Sequence, residues 1–179
     1  MELDSQAMFL RSVLLCGLHA LALAGPPTEP STDSYVKLER GSCPLYWYSY
    51  GTDCYRYDAS RRVWAEAELS CRNWNANLVS IHHPDEMSFI TSLIENFDSS
   101  KPNHWIGFSD LHNEGWWMWS DGSMIEFVDW NENQPDNQLG GEHCAHITFD
   151  GKPAGWEDVS CTKVSSFVCK ARVNCHYGL

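Results

Sequence analysis

Basic residues are scarce in this chain. Its 179 residues include 12 lysines and arginines against 24 aspartates and glutamates, so the formal net charge is -12. Proteins that bind nucleic acid do so by neutralising phosphates with lysine and arginine. The composition therefore argues against a nucleic-acid partner, and an acidic chain is instead compatible with the binding of cations.

Long apolar runs are also missing. The longest one lies within residues 8–24 and is shorter than the roughly 20 residues that a membrane-spanning helix needs, so no membrane span is predicted. Arg11 lies within this segment, and Ala22-Leu23-Ala24 at its end has the small-residue pattern of a cleavage site. We therefore expect residues 1–24 to be a signal peptide and the mature protein to be secreted and extracellular.

Enzyme signatures are absent as well. The sequence has no nucleophile elbow, no phosphate-binding loop and no H-E-x-x-H motif. Its histidines show no zinc-ligand spacing, so we expect them to lie at the surface or to contact ligand-binding residues; they include His82, His83, His104, His112, His143 and His146. We predict that the chain is not an enzyme and has no catalytic residues.

Cysteine, in contrast, is plentiful. Seven of the eight cysteines lie beyond the expected signal peptide. In an oxidising compartment six of them are expected to form three disulfides and one is left over, and spacing alone does not choose between the many possible pairings. The seven are Cys43, Cys54, Cys71, Cys144, Cys161, Cys169 and Cys175.

Hydrophobic periodicity predicts an α+β fold. Aromatic residues flank Gly51-Thr52-Asp53, which is typical of a hairpin. One helix is predicted after Ser60 as its N-cap, and a second from Pro84, where a proline precedes two acidic residues. Short apolar pieces between turn residues then predict strands near 105–107, 117–119, 125–130, 144–149 and 166–170. We divide the chain into a flexible lead-in (25–42), one domain (43–170) and a tail (171–179).

Oxygen-bearing side chains gather around a single proline turn. Gln134 and Asp136 flank the proline, and Glu142, Glu157 and Asp158 follow. Such hard ligands suit Ca²⁺, which takes about six to eight oxygens. A solvated acidic loop is the alternative. A glycosidase pair would instead need one acid kept protonated in an apolar pocket, whereas acids clustered on calcium are held ionised.

These features together resemble the C-type lectin-like domain. The matching residues span about 43–170 and are Cys43, Cys54, Trp64, Cys71, 77–81, 105–107, 119–122, 129–130, 134–136, 142–144, 156–158, Cys161 and Cys169. The resemblance implies three disulfides: Cys43–Cys54, Cys71–Cys169 and Cys144–Cys161. It also implies that the Gln-Pro-Asp turn, whose proline is typically cis, forms a site for both calcium and carbohydrate, made by Gln134, Asp136, Glu142, Glu157 and Asp158. Because Gln-Pro-Asp is associated with galactose-type sugars, we expect a secreted, calcium-dependent lectin for galactose-type glycans on microbial or host surfaces.

Two departures from the family pattern concern the sugar. Glu157 stands where the pattern has asparagine, so it offers a sugar hydroxyl no N–H donor. An unpaired buried polar group costs about 1–3 kcal/mol, which corresponds to about ten- to a hundredfold in affinity. We expect Glu157→Asn to strengthen galactose binding while keeping calcium. In addition, Asn137 and Gln138 stand where galactose-binding relatives often place an aromatic residue that stacks on the sugar.

An auxiliary calcium position of some relatives is only partly preserved. Asp110, Glu114 and the shared Glu142 match it, while Asn137 and His143 replace the aspartates of the pattern. The loss of two charges weakens the expectation of a second calcium ion.

Two other functions are compatible with the same resemblance. Type II antifreeze proteins share this scaffold, but their additional disulfide would need cysteines near Leu111 and His143, which are absent. Some toxin-like relatives recognise protein instead. The leftover Cys175 is expected to link two chains into a homodimer, and the alternatives are a capped thiol or a tail cysteine without a role.

Overall fold

The computed structural model describes residues 37–100, 102–150 and 153–172. The signal peptide expected at 1–24, most of the predicted lead-in, and Cys175 in the predicted tail lie outside these residues. Among the residues described, no helix has both the length and the apolar character needed to cross a membrane.

The described part of the chain contains eight strands and two α-helices. They are β1 (Tyr48–Tyr50), β2 (Asp53–Arg62), α1 (Trp64–Arg72), β3 (Asn77–Leu78), α2 (Pro84–Phe97), β4 (His104–Ser109), β5 (Met118–Trp119), β6 (Cys144–Thr148), β7 (Gly155–Val159) and β8 (Ser165–Arg172). The sheet has the order β1-β2-β8-β4-β6-β7, with β3 on β8 and β5 on β4. The α+β prediction is confirmed, and β7 lies at one edge of this order.

The predicted hairpin is present at the start of the sheet. Tyr50 pairs with Asp53 across the turn formed by Gly51 and Thr52. Gly51 has a φ of +57°, a conformation that glycine adopts without a steric penalty. The turn residues and the flanking aromatics therefore predicted this element correctly.

The first helix begins later than predicted. Strand β2 continues through Ser60, and α1 begins at Trp64 with Val63 at the N-cap position and no side-chain cap. Both the backbone N–H and the hydroxyl of Ser60 donate to the carboxylate of Asp58. The prediction of Ser60 as the N-cap is wrong, because this local hydrogen bonding keeps the residue in the strand instead of at a helix end.

The second helix begins at the predicted proline and has acidic residues in its first turn. Its buried face packs into the main core and includes Met87, Phe89, Ile90, Leu93 and Ile94. This helix was predictable because its period of apolar residues is a local property of the chain.

Segment 125–130 forms no strand, in contrast to the prediction. Only Trp130 pairs, through an isolated parallel bridge to Trp156 in β7. Ile125 and Val128 remain exposed, so the apolar residues of this segment do not form one buried face. The prediction failed because a short apolar run does not show whether a neighbouring strand is available to pair with it.

Three disulfides connect the elements as the resemblance implies. They are Cys43–Cys54, Cys71–Cys169 and Cys144–Cys161. The second of them joins α1 to β8 across a sequence separation of 98 residues. A cross-link that closes a loop of this length contributes about 4–5 kcal/mol in the chain-entropy account.

His104 in β4 is fully buried, so the expectation of a surface position or a ligand contact is wrong for this histidine. Its Nδ1 lies 2.7 Å from the hydroxyl oxygen of Ser166, and its Nε2 is buried without a hydrogen-bond partner. Burial lowers the pKa of His104 from 6.5 to about 4. The imidazole of His104 is therefore neutral in the folded state near pH 7.

We expect this histidine to make the fold sensitive to acid. Its folded-state pKa is depressed, so the unfolded chain binds more protons between pH 6.5 and 4, and stability falls as the pH falls through this window. The expected loss from pH 7 to pH 4 is about 3 kcal/mol. Urea unfolding at several pH values should show a shallower decline for His104→Phe than for the wild type. The same substitution at the exposed His112 should leave the slope unchanged, and an equal slope in His104→Phe would contradict the assignment.

Candidate functional site

A long loop lies along the free edge of β7. The backbone N–H of Trp156 donates to the carbonyl of Asp129 at 2.7 Å, and the N–H of Asn131 donates to the carbonyl of Trp156 at 2.8 Å. The N–H of Gln134 then donates to the carbonyl of Asn131, which closes a turn. This pairing brings the proline turn next to the far end of β7, where Asp158 lies.

Asp158 anchors the proline turn from the sheet. Its carboxylate accepts hydrogen bonds from the backbone N–H groups of Asp136 at 2.9 Å and Asn137 at 2.8 Å. In return, the side-chain oxygen of Gln134 lies 3.4 Å from the N–H of Asp158. The Gln134–Pro135 peptide bond is cis, as the resemblance implied. The buried carboxylate of Asp158 therefore holds the exposed turn through hydrogen bonds from the backbone N–H groups of the turn.

Three carboxylates converge at this point. Asp136, Glu142 and Asp158 each place one oxygen within 4.8 Å of the others. Glu142 is held in place because its N–H donates to Asn137 Oδ1 and its carboxylate accepts from the N–H of Gln138. Asn137 has a φ of 43°, which folds the chain back so that Glu142 faces the turn.

The electrostatics of this cluster favour a cation. Burial raises the pKa of Glu142, the N–H of Gln138 lowers it, and the neighbouring charges of Asp158 and Asp136 raise it further. Like charges this close repel one another, and a divalent cation between them removes that repulsion. The donors are hard oxygens, which fit Ca²⁺.

Glu157 is placed differently from the other predicted ligands. Its Oε1 accepts a hydrogen bond from His146 Nε2 at 2.7 Å, and it does not belong to the group of converging carboxylates. The hydrogen bond from His146 lowers the pKa of Glu157, burial raises it, and the charges of His146 and Lys163 lower it. The expected gain in galactose affinity from Glu157→Asn remains a prediction.

Comparison with known proteins decides the family. The Lectin C-type domain family matches residues 60–171. The chain belongs to the C-type lectin domain family. The galactose-specific lectin nattectin of Thalassophryne nattereri is 39% identical over 128 residues, which cover 72% of this chain and 79% of nattectin. The prediction that the chain is not an enzyme is confirmed, because this family is non-enzymatic.

Solved structures agree with this assignment. The C-type lectin CEL-I of Cucumaria echinata has a TM-score of 0.70 and 29% identity, and the match covers 72% of this chain and 96% of CEL-I. The herring type II antifreeze protein has a TM-score of 0.67 and 30% identity, and that match covers 74% of this chain and 100% of the herring protein. The scaffold of this C-type lectin domain is therefore similar to that of a lectin and of an antifreeze protein.

A second cluster in this C-type lectin domain matches part of the auxiliary calcium position. His143 Nδ1 lies 3.0 Å from Asp110 Oδ1 and 3.5 Å from Glu114 Oε2. The other oxygen of Asp110 accepts from the N–H of Gly115 at 2.7 Å. Glu142, expected to be shared, lies with the first cluster instead. The imidazole of His143 pairs with the carboxylates that an auxiliary cation would need.

The hydrogen bond between His146 and Glu157 in this C-type lectin domain was not predicted from the sequence. The sequence led us to expect histidines at the surface or in contact with ligand-binding residues, but it did not indicate that His146 contacts Glu157. The two residues are direct partners in the register of β6 and β7. Only that register reveals the contact, because 11 positions separate them in the sequence.

Proposed function

We propose that this chain is a secreted, calcium-dependent lectin that binds galactose-type glycans. The observation that carries the proposal is the convergence of Asp136, Glu142 and Asp158 beside the cis Gln134–Pro135 turn. These carboxylates and the side-chain oxygen of Gln134 would hold the calcium ion. The similarity to nattectin, a galactose-specific lectin, supports the choice of sugar.

When bound, the calcium ion would supply direct coordination of sugar hydroxyls and so orient the sugar. Carboxylates accept hydrogen bonds from those hydroxyls, and the amide of Gln134 both accepts and donates. The Asp158 contacts to the turn set the positions of these groups before any sugar arrives, which limits the entropy lost on binding. Secretion fits this use because extracellular calcium sites operate at millimolar concentration.

Affinity chromatography on galactose-agarose tests the proposal. The secreted protein is expected to bind in calcium and to elute with EDTA or free galactose, whereas mannose should elute it less well. Retention that persists in EDTA, or no retention on galactose or any other sugar matrix, would contradict a calcium-dependent lectin. N-terminal sequencing of the secreted protein tests the cleavage after residue 24.

We expect calcium to stabilise the fold. An ion that binds only the folded state adds about 2.7 kcal/mol at a concentration about 100-fold above Kd, which corresponds to a rise of roughly 5–10 °C in Tm for a domain of this size. Acid should weaken this effect, because protonation of Glu142 competes with calcium. Since the pKa of Glu142 is raised above 4.5, the loss should begin at a higher pH than for an ordinary glutamate. Thermal unfolding in calcium and in EDTA measures this, and equal Tm values would refute the site.

Ice binding is the second candidate function, because the herring type II antifreeze protein has the same scaffold. Leu111 and His143 lie close to each other here, since the N–H of Asp110 donates to the carbonyl of His143. Neither position has a cysteine to form the additional disulfide. A thermal-hysteresis assay separates the two functions, and hysteresis without sugar retention would favour the antifreeze protein.

We further propose that Cys175 links two chains. A covalent dimer would present two sugar sites, and linked sites can raise avidity by about 10²–10⁴ without any new contact. Non-reducing electrophoresis of the secreted protein should show a dimer that disappears in Cys175→Ser. A purely monomeric wild type, or a dimer that persists in the variant, would exclude this role.

A further inference from the structure

A cavity with a volume of about 740 Å³ lies between α2 and two loops of the chain. Helix α2 contributes Met87 and Thr91 to its lining, and the loops contribute Phe127, Phe149 and Ala154. These three loop residues are partly buried and pack against the main core, so they form an apolar wall. Small-molecule pockets have volumes of roughly 300–1,000 Å³ and are mostly apolar with a few polar groups, and this cavity fits that description.

One of the polar groups that line the cavity is the side chain of Asp129. The residue is half-buried, and within the ranges that the structure describes its carboxylate has no hydrogen-bond or ion-pair partner. Burial raises the pKa of the Asp129 carboxyl. An ionised carboxylate that is taken out of water without a partner is unfavourable, and a neighbouring cation removes that cost. A positively charged ligand would therefore supply the partner that this carboxylate lacks.

The rest of the lining also suits a cation with an apolar body. Glu95 of α2 adds a second carboxylate, and the described lining residues include no lysine or arginine. The faces of aromatic rings such as those of Phe127 and Phe149 attract cations. A hydrated metal ion would gain nothing from the apolar wall, whereas an organic cation would bury apolar surface against it. The charge and the wall together therefore favour an organic cation.

We propose that this cavity binds a small organic amine with an apolar body, whose ammonium group pairs with the Asp129 carboxylate. A lysine of a partner protein has only a four-carbon stem and would leave most of the volume unfilled, which favours a small molecule as the ligand. The described residues that line the cavity do not include Asp136, Glu142 or Asp158 of the calcium cluster. The inference therefore goes beyond the proposed function and does not depend on it.

Titrations of the full chain followed by NMR test the proposal with three probes, phenethylamine, phenethyl alcohol and hydrocinnamate, which share a phenyl ring and differ in the charge of the head group. At neutral pH the amine should bind about tenfold more tightly than the alcohol, and the carboxylate should not bind. Asp129→Asn should abolish the preference for the amine, whereas Glu132→Gln, which changes an exposed acid of the same loop, should retain it. Ser88→Trp should prevent binding of every probe, because Ser88 is exposed on α2 and lines the cavity.

Several outcomes would overturn the proposal. They are equal affinities of the wild type for the amine and the alcohol, and a preference for the amine that survives Asp129→Asn. Binding of the amine should persist in EDTA, and its loss there would assign the probe to the calcium cluster instead. A tenfold gain in amine affinity in Lys152→Met would mean that this lysine, which precedes Pro153 in the sequence, competes for the carboxylate. If Ser88→Trp does not fold, Asp129→Asn still decides.

Discussion

Replacement of Asp158 by alanine is expected to abolish calcium binding and galactose retention. Asp158 is one of the three converging carboxylates, and it also accepts hydrogen bonds from the N–H groups of Asp136 and Asn137. Each such bond to a charged group contributes about 1.5–3 kcal/mol. Loss of the ligand and of both anchors should weaken calcium binding by at least about 100-fold. Calorimetry and galactose-agarose measure the two losses.

A milder variant separates the two roles of this carboxylate. Asp158→Asn keeps an oxygen for one of the two backbone N–H groups of the turn but removes the charge. We expect it to retain more thermal stability than Asp158→Ala in EDTA and to lose calcium binding nonetheless. Asp150→Ala removes an exposed carboxylate elsewhere on the chain and should leave both properties intact. Normal calcium affinity in Asp158→Asn would show that the charge of Asp158 does not hold the ion.

Replacement of Lys170 by methionine is expected to destabilise the fold by about 3–5 kcal/mol. Lys170 Nζ lies 2.6 Å from Glu86 Oε1, and Glu86 is 3% exposed. The same carboxylate accepts the hydroxyl of Tyr55 at 2.5 Å and the backbone N–H of His82 at 2.7 Å. Without the lysine, a buried negative charge would lack its cation, and this accounts for the size of the loss.

Urea unfolding measures this effect, and two variants test its cause. Lys163→Met removes an exposed lysine and should change the free energy of unfolding little. Glu86→Gln combined with Lys170→Met removes both charges and should recover part of the lost stability, because no unpaired charge stays buried. A double variant as unstable as Lys170→Met would attribute the loss to packing of the lysine stem instead.

Both networks use residues of β7 or β8 to attach a distant segment to the sheet. Asp158 of β7 holds the proline turn, and Lys170 of β8 holds the start of α2 through Glu86. The first contact serves the proposed binding site, and the second serves the fold. We therefore expect Lys170→Met to lower stability with little effect on calcium affinity in the fraction that remains folded.

Local patterns allowed much of the fold to be predicted from the sequence. The hairpin at Gly51 and the start of α2 at Pro84 depend on residues close together in the chain, and both were predicted correctly. Ser60 was misassigned because its carboxylate partner, Asp58, competes with helix capping. Strand β7 was not predicted, because its residues Gly155–Val159 include two acids and contain no run of apolar residues.

The sequence by itself determined the family, the α+β class and the identity of the acidic residues near the proline turn, because these follow from residue types and their spacing. The tertiary structure decided which of those acids converge. Adjacent residues of a strand point to opposite faces, so Asp158 contacts the turn while Glu157 contacts His146. Neither the choice of face nor the partner of Glu157 on β6 follows from residue spacing, since both depend on the register in which β6 pairs with β7.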